Sequence, residues 1–203
     1  MYKHLIYDFD GTLSDTYPVA AEALLELLRE RGVQEDYDAA YAKLKVSFRH
    51  AIRSYTQFNY DELYPAFVQR AAEYAKTRQS PFAETKEILA AAVRAGKKNY
   101  IYTHSGPEVA EILQRWGIAE YVTYVLDRSH HFPLKPDPTA LEFLCEKFAI
   151  DPAEALMIGD RDIDIEAAHN AGMKGVLFDP DGFYADFPTD YRICDLLEIE
   201  KIY

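Results

Sequence analysis

The chain has 203 residues, of which 49% are hydrophobic and 28% are charged, so it can bury one sizeable core and has the composition of an ordinary globular protein. Its net charge of -12 argues against electrostatic attraction to nucleic acid or to an anionic membrane surface, and we expect neither as a partner.

The cysteines and the N-terminal residues bear on where in the cell the protein is located. Cys145 and Cys194 form neither a CxxC pair nor a zinc-binding spacing, so we expect two reduced thiols. No apolar run reaches the length of a membrane span, and the first residues lead into a strand pattern without the layout of a signal peptide. These features predict an intracellular, cytoplasmic protein, provided that the sequence is complete.

The first predicted strand, residues 5–7, is followed by a long helical block. The strand ends in the sequence Asp8-Phe9-Asp10-Gly11-Thr12. Residues 17–78 then show helical spacing of apolar residues and no strand pattern. The helical pieces of this block are separated by Gly32, by the region around Ser47 and by Asn59.

After residue 80 the pattern changes to strands alternating with helices. The predicted strands are 99–102, 121–126, 155–158 and 175–178. The predicted helices are 83–95, 107–116, 139–148 and one that ends at about residue 171. No element is predicted for residues 179–203. The alternation predicts an α/β fold, a doubly wound parallel sheet of the Rossmann-like type, formed by residues 1–15 and 81–203. The helical block, residues 16–80, is then an inserted all-helical cap over the edge of this sheet.

Polar side chains follow the predicted strands at one edge of the sheet. Asp8, Thr103 and Asp160 each come at or just after a strand end, and a loop with Lys135 follows a fourth strand. In open parallel sheets, ligands bind beyond the carboxyl ends of the strands. The sequence therefore predicts that these four side chains belong to one site.

Two pairs of carboxylates are candidates for this site. Asp8 and Asp10 are two residues apart, which places them on the same side of an extended segment, where they repel unless a cation or a proton intervenes. A turn with capping carboxylates is an equally good explanation of this pair alone, but Gly11 permits a phosphate to approach the backbone. Asp160 and Asp164 begin a helix, where the helix dipole also favours carboxylates. For Asp160 we favour magnesium ligation, because Mg²⁺ prefers hard oxygen ligands.

Thr103 and Lys135 are candidates for binding an anion. Thr103 opens a helix, whose free N–H groups bind anions, although a simple helix cap would explain it in isolation. We expect His104 to contribute its backbone more than its imidazole. Lys135 lies in a loop stiffened by two prolines, so its ammonium is held where it would balance the carboxylates and contact phosphate.

The order of these groups resembles a known superfamily. The segments Asp8-Phe9-Asp10-Gly11-Thr12, Thr103, Lys135, and Gly159-Asp160 with Asp164 resemble the four motifs of the haloacid dehalogenase-like (HAD) hydrolases. The helical block after the first motif is similar to the helical-cap branch with phosphoglycolate phosphatase-type members. The resemblance covers residues 1–15 and about 81–178, and it departs from relatives at His104-Ser105.

The resemblance implies a mechanism for this chain. Asp8 would attack phosphorus and form an aspartyl-phosphate, and Asp10 would act as general acid and base. Mg²⁺ would bind the Asp8 carboxylate, the Asp10 backbone carbonyl and Asp160, while Asp164 would hold a water on the metal or orient Lys135. The groups implied to stabilise the transferred phosphoryl group are Thr103, Lys135 and the backbone N–H groups of Phe9 and His104.

The resulting hypothesis is a magnesium-dependent phosphatase acting on a small phosphorylated metabolite. A phosphomutase of the β-phosphoglucomutase type would use the same core, but no basic residue lies between Gly11 and Ala21 to protect the aspartyl-phosphate. A carbon–halogen hydrolase would not need Asp10, and a non-enzymatic phospho-switch would need neither Asp10 nor a cap. No oligomeric state is predicted.

Overall fold

The computed structural model describes all residues from 1 to 203, and a parallel six-stranded sheet forms its centre. The strands are β1 (His4–Tyr7), β2 (Lys98–Tyr102), β3 (Val122–Leu126), β4 (Ala155–Gly159), β5 (Lys174–Phe178) and β6 (Tyr191–Ile193). The helices are α1 (Tyr17–Glu30), α2 (Tyr37–Val46), α3 (Phe48–Arg53), α4 (Tyr60–Arg78), α5 (Thr85–Arg94), α6 (Glu108–Arg115), α7 (Thr139–Phe148) and α8 (Asp162–Asn170). The strand order is β3-β2-β1-β4-β5-β6, with every pair parallel.

The central strand β1 is buried on both faces of the sheet. Leu5 and Tyr7 pack on one face with side chains of α5, α6 and the 3₁₀ turn Leu196–Lys201. Ile6 packs on the opposite face with side chains of α7 and α8. Since successive strand residues point to opposite faces, each face of the sheet needs its own helical layer. The predicted doubly wound α/β fold is confirmed.

Most predicted elements agree with the structure to within two residues, and both cysteines are free thiols, as predicted. The exception is the segment 179–203, for which no element was predicted. It contains β6 and the turn Leu196–Lys201. A strand of three residues is too short to show a periodicity, and it forms here because it pairs with β5.

The chain divides into two compact units, one of Met1–Ser14 with Pro81–Tyr203 and one of Asp15–Ser80. The second unit consists of α1 to α4 around its own apolar core. The predicted breaks in this block are confirmed, and two of them cap helices: the Ser47 hydroxyl accepts the N–H of His50, and the Asn59 side chain accepts the N–H of Asp61. That this unit acts as a cap stays a prediction.

None of the helices combines the length and the apolar character needed to cross a membrane. The cytoplasmic location stays a prediction.

Candidate active site

A tight turn after β1 places the first motif at the carboxyl end of the sheet. The Asp8 N–H donates to the carbonyl of Ile158 on the next strand at 2.8 Å, so the ladder of sheet hydrogen bonds extends to the motif. The Phe9 carbonyl then accepts the N–H groups of Leu13 and Ser14 at 3.0 and 2.9 Å. Gly11 has φ +83°, a left-handed conformation that glycine adopts without strain. The turn therefore fixes the direction in which the two motif carboxylates leave the strand.

Lys135 is the cation at the centre of the site. Its Nζ lies 2.7 Å from Asp8 Oδ1 and 2.7 Å from Asp164 Oδ1, and its side chain is 0% exposed. The ring of Tyr102 lies beneath the ammonium, with its centroid 4.6 Å from Nζ. One buried ammonium thus faces two buried carboxylates. With both carboxylates ionised, the net charge of these three side chains is negative.

The carboxylates of Asp8, Asp160 and Asp164 form a compact buried cluster. One oxygen from each lies within 4.8 Å of the others. Asp8 Oδ2 is buried without a hydrogen-bond partner, and the Thr12 hydroxyl donates to Asp160 at 3.5 Å. Three carboxylates balanced by one ammonium, with one carboxylate oxygen unpartnered, fit a hard divalent cation of the Mg²⁺ type. The Asp10 carboxylate is not part of this cluster.

The electrostatics of the cluster also favour a further positive charge. Burial raises the pKa of Asp8 to about 7; Asp164 and Asp160 add to this shift, while Lys135 and Arg161 oppose it. Burial alone would lower the pKa of Lys135, but the Asp164 and Asp8 carboxylates outweigh it and raise the pKa. Lys135 therefore stays charged, and an added cation would favour the ionised form of Asp8.

Asp164 is fixed by the start of α8. Its Oδ2 accepts the N–H of Arg161 at 3.1 Å, and its Oδ1 accepts from Lys135. Residue 159 is glycine for a steric reason, because a Cβ there would overlap the Asp164 side chain. Both Asp164 oxygens thus have partners, and whether Asp164 orients Lys135 or holds a water on the metal stays a prediction.

Asp10 is held by Ser105, which the sequence analysis noted only as part of a departure from relatives. The Ser105 hydroxyl donates to Asp10 Oδ2 at 2.5 Å. Ser105 is itself positioned by Thr103, whose buried hydroxyl oxygen accepts the Ser105 N–H at 3.0 Å. A hydroxyl two residues after the motif threonine is the sequence signal that would have indicated this contact.

His104 contributes its side chain to the site. The Lys135 N–H donates to His104 Nε2 at 2.9 Å, so the imidazole joins the turn after β2 to the lysine loop. Burial lowers the pKa of His104 to about 3, with Lys135 and Arg161 acting in the same direction. The sequence analysis had favoured a backbone role, and the structure adds this side-chain contact.

The structure therefore brings together Asp8, Asp160, Asp164 and Lys135 in direct contact or within one cluster. His104 contacts the Lys135 backbone, and Thr103 is linked to Asp10 through Ser105. The chemical roles of these residues stay predictions.

Known proteins resemble this chain over most of its length. A family model described as haloacid dehalogenase-like hydrolase matches residues 5–178. The chain is 31% identical to an N-acetylmuramic acid 6-phosphate phosphatase from Pseudomonas aeruginosa, over 85% of this chain and 79% of that protein. It is also 31% identical to a phosphoglycolate phosphatase from Vibrio vulnificus, over 84% of this chain and 80% of that protein.

A solved structure gives the same result. A hydrolase from Streptococcus pneumoniae matches with a TM-score of 0.70 and 33% identity, covering 87% of this chain and 92% of that one. The predicted resemblance is confirmed by the family model, the two relatives and this structure together: the chain belongs to the haloacid dehalogenase-like hydrolases.

Proposed function

We propose that this phosphatase hydrolyses the phosphate monoester of a small molecule through an aspartyl-phosphate on Asp8. The observation that carries the proposal is the state of the Asp8 carboxylate. Its Oδ1 is held by Lys135 at 2.7 Å, while its buried Oδ2 has no hydrogen-bond partner. A carboxylate fixed through one oxygen and unpartnered at the other is arranged to attack phosphorus.

Asp10 supplies and removes the protons. In the first step, an Asp8 oxygen bonds to phosphorus, the phosphorus–oxygen bond of the ester breaks, and Asp10 gives its proton to the leaving oxygen. In the second step, Asp10 takes a proton from water as the water oxygen bonds to phosphorus. The bond from Asp8 to phosphorus then breaks, which releases inorganic phosphate and restores the carboxylate.

Lys135, Thr103 and the backbone N–H groups of Phe9 and His104 stabilise the charge on the transferred phosphoryl group. Lys135 suits this role because its ammonium is buried and the Asp164 and Asp8 carboxylates raise its pKa, and electrostatic stabilisation is strongest where water is excluded. Asp164 also holds the ammonium in place, through Oδ1 at 2.7 Å.

The proposed cofactor is a magnesium ion, which the carboxylates of Asp8 and Asp160 and the backbone carbonyl of Asp10 would hold. When bound, it neutralises negative charge on the phosphoryl group and on the cluster. The excess of carboxylates over cations in the cluster of Asp8, Asp160 and Asp164 supports this assignment.

The test is a screen of purified protein with Mg²⁺ against phosphate esters, measuring release of inorganic phosphate. Phosphoglycolate and N-acetylmuramic acid 6-phosphate belong in the panel, because two relatives are named for them. At least one ester should be hydrolysed, and Asp8→Asn should abolish the turnover. Asp162→Asn is the matched control, because Asp162 lies at the same sheet edge but outside the carboxylate cluster. Steady-state turnover by folded Asp8→Asn protein would exclude Asp8 as the nucleophile.

The products separate hydrolysis from the related chemistries. If β-glucose 1-phosphate with a bisphosphate primer gave isomerised sugar phosphate faster than inorganic phosphate, as seen by phosphorus NMR, the protein would be a mutase. A phosphorylated protein that persists for minutes would instead indicate a phospho-switch.

A further inference from the structure

We propose that the imidazole of His104 is a positioning residue that holds the Lys135 backbone, so that the ammonium lies between Asp8 and Asp164. The inference rests on the proposed function, because it concerns how Lys135, the cation of that site, is held in position. It goes beyond it by giving His104 a side-chain role. The observation is the hydrogen bond from the Lys135 N–H to His104 Nε2 at 2.9 Å.

The lysine loop needs such an anchor because it contains little regular structure. Between the end of β3 and the start of α7, the chain has one short 3₁₀ turn, Arg128–His130. Residue 136 is proline, which has no N–H, so the Lys135 N–H is the donor of that dipeptide. Its acceptor belongs to the turn after β2, which also carries Thr103 and Ser105.

The anchor ties two parts of the site to each other. His104 lies between Thr103 and Ser105; the Ser105 N–H donates to the Thr103 hydroxyl, and the Ser105 hydroxyl donates to Asp10. Lys135 reaches Asp8 and Asp164 with a side chain that is fully buried. A displaced loop would therefore move the ammonium away from the groups on which charge develops, and misplacement by about 1 Å can cost about 100-fold in rate.

The protonation state of the ring suits an acceptor. A ring nitrogen accepts a hydrogen bond only when it carries no proton, so the contact requires neutral His104 with its proton on Nδ1. Burial, which lowers the pKa of His104 to about 3, keeps the ring neutral at ordinary pH.

The first experiment needs no activity and no variant. In ¹⁵N-labelled native protein at neutral pH, NMR should show a His104 ring protonated at Nδ1 only, and a Lys135 amide protected from exchange with solvent. A ring protonated at Nε2, or an unprotected Lys135 amide, would overturn the proposal. Because neither reading involves catalysis, this result is independent of whether the proposed function is correct.

The second experiment compares two substitutions of the same residue. His104→Leu removes the acceptor, and His104→Gln returns a side-chain oxygen at a similar reach. We expect His104→Leu to lose the Lys135 amide protection and about 10- to 100-fold in kcat/KM, and His104→Gln to restore most of both. His4→Leu is the matched control, because His4 is a half-buried histidine at the amino end of β1.

Two outcomes would overturn the positioning role. Loss of protection in His104→Leu with kcat/KM unchanged would show a purely structural contact and overturn the positioning role. Equal losses in the Leu and Gln variants would do the same, because both would then reflect altered packing. Failure of the proposed function is a separate result: no ester would be hydrolysed, or Asp8→Asn would keep its turnover, while the NMR readings would still show whether His104 holds the Lys135 amide.

Discussion

The two ends of the parallel sheet carry ion pairs of almost equal length in opposite surroundings. At the amino end, Lys3 Nζ lies 2.6 Å from Glu154, and the two side chains are 59% and 37% exposed. At the carboxyl end, Lys135 lies 2.7 Å from Asp8 and from Asp164, and its side chain is completely buried. The distances alone would make the two ends equivalent.

Solvent makes them different. Water screens the charges of the exposed pair and competes for its hydrogen bonds, so such a pair contributes little to the free energy of unfolding. The buried group has lost its hydration, and each charge there depends on its partners for compensation. A cluster of three buried carboxylates is costly to desolvate, and ionisable groups perturbed in this way gather at functional sites.

The largest expected effect comes from removing the metal. If the cluster of Asp8, Asp160 and Asp164 holds Mg²⁺, dialysis against a chelator should eliminate phosphate release, and added Mg²⁺ should restore it. Calcium should not restore activity, because its looser coordination shell changes the geometry of attack. Full activity in excess chelator, measured with the best ester of the panel, would show that the carboxyl end works without a metal.

A matched pair of lysine substitutions compares the two ends directly. Lys135→Met should lower the free energy of unfolding by about 3 to 5 kcal/mol in metal-free protein, because it leaves Asp8 and Asp164 buried without their cation. Lys3→Met should cost at most about 1 kcal/mol. Urea unfolding of both variants measures the difference. Similar losses in the two variants would mean that burial does not distinguish these pairs.

Ser105→Ala tests a smaller part of the carboxyl end. Without the hydroxyl that donates to Asp10, proton transfer to the leaving oxygen should be less efficient. We expect about a 10-fold lower kcat for an alkyl phosphate and a much smaller change for p-nitrophenyl phosphate, whose leaving group needs little protonation. Ser129→Ala, which removes a hydroxyl bonded to Asp127, is the control. An equal fall with both substrates would assign Ser105 a role other than supporting Asp10.

The smallest effect is expected at the amino end of β5. Burial acts to raise the pKa of Asp190, but Lys174, the Gly175 N–H and His169 outweigh it and lower the pKa to about 2. Because the folded pKa lies below the ordinary value, this stabilisation is present above about pH 4 and is lost as the pH falls towards 2.

The corresponding measurement is urea unfolding of native protein and Asp190→Asn between pH 6 and pH 2. The variant should be less stable by about 1 kcal/mol near neutral pH, a value kept small because Lys174 and His169 are largely exposed. The difference should shrink as the pH approaches 2. A difference that grows on acidification would have the wrong sign for a depressed pKa.

The order of the elements could be read from the sequence because it depends on local patterns. Alternating strands and helices after residue 80 predicted the parallel sheet, and the helix breaks at Gly32, Ser47 and Asn59 were visible as breaker or capping residues. Strand β6 was not predictable in this way, since three residues carry no period and the strand exists only through its pairing with β5.

The candidate site also has features that the sequence predicts and features that only the tertiary structure shows. The sequence by itself determined that Asp8, Thr103, Lys135 and Asp160 follow strands, and parallel strands bring such residues to one edge for geometric reasons. Only the tertiary structure decided the partners: Ser105 on Asp10, and the His104 imidazole on the Lys135 backbone. Hydrogen bonds between residues up to 95 positions apart depend on distances within a few tenths of an ångström, which residue types and spacing do not encode.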